Sequence, residues 1–233
     1  WRMTFDSTAT TTDLPTELQC MLDEVAGDTG LPATVFRPHP LLIVISGPSG
    51  VGKDTILQRL KDRNIPFHFV VTATSRPQRP GEVHGRDYFF VDEAQFRAMI
   101  EQDELLEHAL VYGHYKGIPK QQVRDAFKSG LDVVLRIDVQ GAATIRRLVP
   151  EAVLIFLAAG DLKELMERLI ARKTEAVDDL AKRMATARAE MQEIHLFDYV
   201  VINHEDQVDA TVDQIVAIVR AEHARVHPRN CRL

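Results

Sequence analysis

Gly47-Pro48-Ser49-Gly50-Val51-Gly52-Lys53 places glycines and one lysine at the spacing GxxxxGK. Glycines let a backbone fold tightly enough for successive N–H groups to point at phosphate oxygens. Lys53 at the end of such a loop reaches the β- and γ-phosphates of a bound nucleotide. The chemistry requires a buried strand before the loop and a helix after it, whose N-terminus adds a favourable dipole for an anion. The motif ordinarily ends in a Ser or Thr whose hydroxyl touches Mg²⁺. Here that position is Asp54, with Thr55 next. A carboxylate at this point can bind Mg²⁺ directly or through water, or cap the helix, and Thr55 can face the phosphates.

A second constellation lies at 72–88, Thr72-Ala73-Thr74-Ser75-Arg76-Pro77-Gln78-Arg79-Pro80-Gly81-Glu82-Val83-His84-Gly85-Arg86-Asp87-Tyr88. Arg76 and Arg79 are each followed by a proline, so they sit in a stiff, non-helical segment. Fixed guanidinium forks bond phosphate oxygens in pairs, and the Tyr88 hydroxyl adds a further bond. A charged surface loop is the alternative reading of this stretch taken by itself. Arg168 and Arg172 are four apart on one predicted helix, hence on one face. The nine histidines show no HExxH and no paired spacing that points to a metal.

These groups need a frame. Leu41–Ile45 is a continuous apolar run that reads as a buried parallel strand. Phe67–Thr72, Val133–Ile137, Val153–Leu157 and Tyr199–Ile202 are further strand candidates. Helices are expected over Asp54–Arg63, Asp92–Glu101, Lys120–Lys128, Ala142–Leu148, Leu162–Arg172, Val177–Ile194 and Val208–Val226. Strands alternating with helices predict a parallel sheet covered on both faces, an α/β three-layer fold. The first 40 residues differ: STATTT at 7–12, a short amphipathic stretch from Thr16 to Val25, then Gly and Pro punctuation. They read as a flexible extension with one short helix and without a signal peptide's apolar core.

The 233 residues, 45% hydrophobic and 27% charged, suit one large domain or one domain with inserts. A net charge of −6 excludes nonspecific wrapping of nucleic acid, which rests on many Lys/Arg–phosphate contacts. Any phosphate site must be a local basic cluster. Cys20 and Cys231, near opposite ends, form no zinc or disulfide framework, so a reducing compartment is expected: cytoplasm, or an organelle stroma or matrix if a targeting segment has been trimmed. No apolar run is long enough to span a membrane.

From Leu41 to Val226 the chain resembles the guanylate kinase family of P-loop nucleoside monophosphate kinases, which carries S-x-T-T-R-x-P-R-x-G-E-x-x-G-x-D-Y after its phosphate loop. The resemblance implies a P-loop NTPase core (about 41–71, 130–171 and 195–226), an inserted acceptor-nucleotide segment (about 72–129), a helical lid (about 172–194) and a tail at 227–233. It implies transfer of the γ-phosphoryl group of ATP to GMP or dGMP with Mg²⁺, in a monomer or small homo-oligomer that binds neither nucleic acid nor membrane. Gly47, Pro48, Ser49, Gly50, Val51, Gly52, Lys53, Asp54 and Thr55 would hold ATP, with Arg168 and Asn203 on the adenine side. Thr72, Arg76, Arg79, Glu82, Tyr88, Glu107, Lys116 and Asp138 would hold GMP. Arg172 and Arg183 would close over the transferring group with Lys53 as catalytic cations, and Thr55 and Asp54 would be the Mg²⁺ contacts.

Four positions depart from the family's pattern: Asp54; Lys116 in place of a phosphate-binding tyrosine; Ile118 in place of a Ser/Thr that helps read guanine; and Arg136 in place of an acid. Arg136 is expected to pair with Asp54 or Asp138, or to contact phosphate. Two alternatives stay open on these grounds, a non-catalytic binding module of the same fold and a kinase for another nucleoside monophosphate.

Overall fold

The computed structural model describes residues 39–111, 113–171, 177–204 and 206–231, with the backbone alone at 162, 169, 171 and 177–183. The expected N-terminal extension lies outside them but for its last two residues. Five parallel strands form the central sheet: β1 Leu42–Ser46, β2 Phe67–Phe69, β7 Asp132–Arg136, β8 Val153–Ala158 and β9 Tyr199–Ile202, in the order β2-β7-β1-β8-β9. β1 is central because it is apolar on both faces. It pairs Ile43 with Val134 on one side and with Val153 on the other. Its alternate residues feed two cores. Leu41, Ile43 and Ile45 pack with Ile56 and Leu60 of α1 (Lys53–Asp62) and with Val212, Ile215 and Val219 of α7 (Val208–His223). Leu42 and Val44 pack with Val123 and Ala126 of α3 (Lys120–Lys128) and with Ala142 and Ile145 of α4 (Val139–Leu148). The result is the expected helix–sheet–helix sandwich.

A second sheet is the feature that the strand–helix alternation did not announce. β3 (Ala73–Thr74), β4 (Phe89–Phe90), β5 (Leu105–Val111) and β6 (His114–Pro119) stand in the order β4-β3-β6-β5, with β5 and β6 an antiparallel hairpin. This sheet has its own small core, in which Phe96 of α2 (Glu93–Glu101) stacks on Tyr115 at 5.2 Å. The strand expected over 67–72 therefore splits. Its first half joins the central sheet, and from Thr72 on the chain belongs to the second: Val70 donates to Val134 O at 3.1 Å, whereas Phe89 donates to Thr72 O at 2.9 Å. α5 (Leu162–Ala171) and α6 (Val177–Gln192) flank residues 172–176, and α6 runs into a single 3₁₀ turn, Glu193–Leu196. The last helix stops at His223, three residues before the expected end.

Candidate active site

The phosphate loop follows β1 and opens α1. Gly47 has φ +141°, and a Cβ there would lie 2.2 Å from the Leu157 carbonyl oxygen. Gly52, at φ +96°, is the residue that starts the helix. Lys53 folds back over the loop, donating to Gly47 O at 2.6 Å and Pro48 O at 3.1 Å. Burial pulls its ammonium down to about 8, against Glu190 and Asp54, which hold it up.

Glu190, on α6, had no sequence signal. It is 141 positions from Ser49, and only the fold makes them neighbours. The Ser49 N–H donates to its Oε2 at 3.1 Å, so a carboxylate lies in the anion cradle. Burial raises the Glu190 carboxyl, offset by Lys53.

A cavity of about 360 Å³ runs from this loop to the second sheet. Ser49–Asp54 form one end, and Thr72, Glu107, Lys116 and Gly117 the other, with Tyr88, Arg136, Asp138, Thr186 and Glu190 between. Glu107 is 5% exposed on β5 and lies against the start of α4, where a Cβ on Gly141 would sit 3.0 Å from its Oε1. Burial, with Asp138 adding to it, pushes the Glu107 carboxyl up to about 8. Asp138 caps α4 by accepting the Gly141 N–H at 2.9 Å while it lines the cavity.

A second cavity of about 520 Å³ is bounded by Arg76, Arg79, Glu82, Tyr88, Lys116 and Arg136. Arg76 donates to both Glu82 oxygens, at 2.7 and 2.9 Å, and lies over the Tyr88 ring with 5.4 Å to the centroid. Glu82 also accepts the Arg79 N–H at 2.8 Å. Although burial works the other way, these donors hold the Glu82 carboxyl below its usual range. Glu82 is thus the residue that shapes the arginine segment.

Not every expected site residue lines these cavities. Thr55 is exposed on α1, away from both. Arg168 and Asn203 sit behind the phosphate loop instead of facing the cavity. Asn203 Nδ2 donates to Val51 O at 2.8 Å and Arg168 Nη1 to the same oxygen at 3.3 Å, so they brace the loop. Ile118 is fully buried in the core shared with Leu42 and Val44, and the neighbouring Gly117 takes the cavity side. Position 118 thus packs into the core and does not line the cavity. Arg172 lies outside the described residues, as does the side chain of Arg183. Arg136 meets Asp54, one of the pairings its charge implied, and also donates to Tyr88 Oη at 2.7 Å.

The model of the guanylate kinase family matches residues 39–222. Guanylate kinase 2, chloroplastic/mitochondrial, of Oryza sativa subsp. japonica is 55% identical over 197 residues, 84% of this chain and 69% of the relative. The guanylate kinase of Halalkalibacterium halodurans is 47% identical over 79% of this chain and 90% of its own. A crystal structure of guanylate kinase from Anaplasma phagocytophilum superposes with a TM-score of 0.68 at 30% identity, covering 81% of this chain and 89% of that one. The matched span runs from the strand before the phosphate loop to the last turn of α7 and takes in every element that lines the two cavities: the chain belongs to the guanylate kinase family.

Proposed function

We infer that this chain transfers the γ-phosphoryl group of ATP to the phosphate of GMP, or of dGMP, giving ADP and the guanosine diphosphate. The observation that carries this reading is that the two cavities share Asp54, Tyr88, Lys116 and Arg136 in their walls, with a lysine-bearing phosphate loop and a buried carboxylate lining one and an arginine pair lining the other. An oxygen of the GMP phosphate attacks the γ-phosphorus in line. That P–O bond forms as the bond from the γ-phosphorus to the β–γ bridging oxygen breaks, and ADP leaves with the electron pair. No covalent bond to the protein is needed, so catalysis is positioning and charge.

Loop N–H groups and Lys53 hold the donor phosphates. Arg76, Arg79, Tyr88 and Lys116 hold the acceptor phosphate, and Glu82 keeps Arg76 in place. Glu107 accepts from guanine N1–H and the exocyclic amine, a donor pair that adenine lacks, and Thr72 adds a contact. A site built on such bonds rejects the wrong base by a factor on the order of 10⁴. Arg172 and Arg183 close over the transferring group and exclude water. The Asp54 carboxylate fits Mg²⁺, which takes one or two carboxylates together with substrate phosphates and waters. Bound there, Mg²⁺ would neutralise charge on the donor phosphates. The rice relative's name supports an organelle as the working compartment. Among the described residues no helix is long and apolar enough to cross a membrane.

The test is coupled ADP release with ATP, Mg²⁺ and each of GMP, AMP, CMP and UMP, beside a Lys53→Ala control. Turnover with GMP alone, lost in the control, is the expected result. Turnover with another monophosphate, or none at all, refutes the reading; the latter favours a binding module of the same fold.

A further inference from the structure

Arg136 stands where the two cavities meet. It ends β7, an inner strand of the parallel sheet, and lines both cavities. Its guanidinium is engaged on two sides. Nη1 is paired with the Asp54 carboxylate, and Nη2 donates to Tyr88 Oη at 2.7 Å, with the cation 5.1 Å from the centroid of that ring. One fork therefore joins the first turn of the phosphate-loop helix to a tyrosine that also lines both cavities.

The pair is lopsided. The Arg136 side chain is 22% exposed and the Asp54 side chain 69%. A cation this enclosed is costly without a counter-charge, whereas the Asp54 carboxylate is largely exposed to solvent. The enclosed member is fixed to the sheet; the more exposed one stands on the first turn of the helix. Phosphate oxygens offer a planar guanidinium the same bidentate geometry as a carboxylate, and Arg136 lines the cavity of the phosphate loop and that of Arg76 and Arg79.

We propose that Arg136 is a further catalytic residue of the phosphoryl transfer: in the empty site it is neutralised by Asp54, and with both nucleotides bound its donors pass to oxygens of the transferring and acceptor phosphates. Arg136 gains and loses no proton and forms no covalent bond. It supplies fixed positive charge where negative charge accumulates, and one such donor in a closed site accounts for about 10²- to 10³-fold in rate. The sheet thereby places a cation at the transfer point, while Lys116, on β6 of the second sheet, lines the same two cavities. This assignment rests on the kinase reading above.

The experiment compares Arg136→Gln, Arg136→Lys and Arg136→Ala with the unaltered chain for kcat, for ATP and GMP affinity measured separately by calorimetry, and for melting temperature. Arg136→Gln should lower kcat about 10²- to 10³-fold while each Kd moves less than about tenfold. Arg136→Lys, which keeps charge but loses the fork, should fall between. Millimolar guanidinium ion should restore Arg136→Ala at least about tenfold, a rescue that a merely structural ion pair would not show. Near-normal kcat in Arg136→Gln, or loss that follows melting temperature without guanidinium rescue, overturns the assignment and leaves the kinase reading standing. An unaltered chain that is folded but inactive overturns both.

Discussion

At Glu107 stability and recognition pull against each other. Burial, reinforced by Asp138, pushes its carboxyl up from the ordinary 4.5 to about 8, yet reading guanine requires the ionised form. The unfolded chain releases this proton near 4.5 and the folded chain near 8. Between those values the native state holds a proton that the unfolded state lacks, so stability falls as pH rises through the window and the whole cost is present above about 8. Glu107→Gln abolishes the titration. Its advantage in unfolding free energy over the parent should be near zero at pH 4 and grow by up to about 1.4 kcal/mol per pH unit towards pH 8. Urea titrations at several pH values measure this directly, and a difference independent of pH refutes it. The same variant should lose guanine selectivity. GMP binding to the parent should release a proton at pH 7, visible by calorimetry in buffers of different ionisation enthalpy. A residue chosen for stability alone would not be a carboxylate here, which supports the guanine-reading role proposed for it.

The phosphate loop is an element held from behind. Val51 O accepts from Asn203 and Arg168, and Asn203 Oδ1 accepts from Thr211 at 3.2 Å, so β9, α5 and α7 all bear on one loop carbonyl. Asn203→Ala removes a buried amide that serves two partners. It should cost about 1–3 kcal/mol of unfolding free energy and raise KM for ATP severalfold with KM for GMP unchanged. An equal rise in both would mean that the brace does not act through the loop. Gly47→Ala is harsher: its Cβ would meet backbone, which cannot yield, so ATP binding should be lost outright. The loop itself was legible because a fully apolar strand, a glycine spacing and a helix followed one another in order. The arginine segment was legible because its prolines exclude helix. The second sheet was not: β3 and β4 are two residues each, and β5–β6 mixes His, Glu and Lys into its pattern. Nor was Glu190, whose role depends on a contact that no local pattern encodes. Arg168 and Asn203 were expected on the adenine side of ATP; both instead donate to Val51 O behind the phosphate loop, a contact that spacing does not carry.

At the scale of the whole molecule, the proposed transfer assigns the donor phosphates to the central sheet and the acceptor phosphate to the second. The chain passes from one to the other at Val71, whose N–H and C=O are both clamped by the Gln122 amide, at 3.0 and 2.9 Å. Phosphoryl transfer needs the reacting atoms about 3–3.5 Å apart, so productive geometry requires both sheets to hold one bound assembly. Either nucleotide alone stabilises one side of the junction at Arg136 and Tyr88. A ligand that joins adenosine to guanosine through a polyphosphate engages both sides at once, with the second contact made intramolecular. At a hundredfold excess over Kd any single ligand stabilises by about 2.7 kcal/mol, which for a chain of this size is about 5–10 °C in melting temperature. At equal concentration, the joined ligand should exceed the larger of the ATP and GMP shifts by at least that much. It should also reduce the radius of gyration measured by X-ray scattering, where GMP alone leaves it smaller by less. A shift no greater than that of ATP would show that the two cavities are not filled by one continuous ligand, and the in-line transfer between them would have to be abandoned.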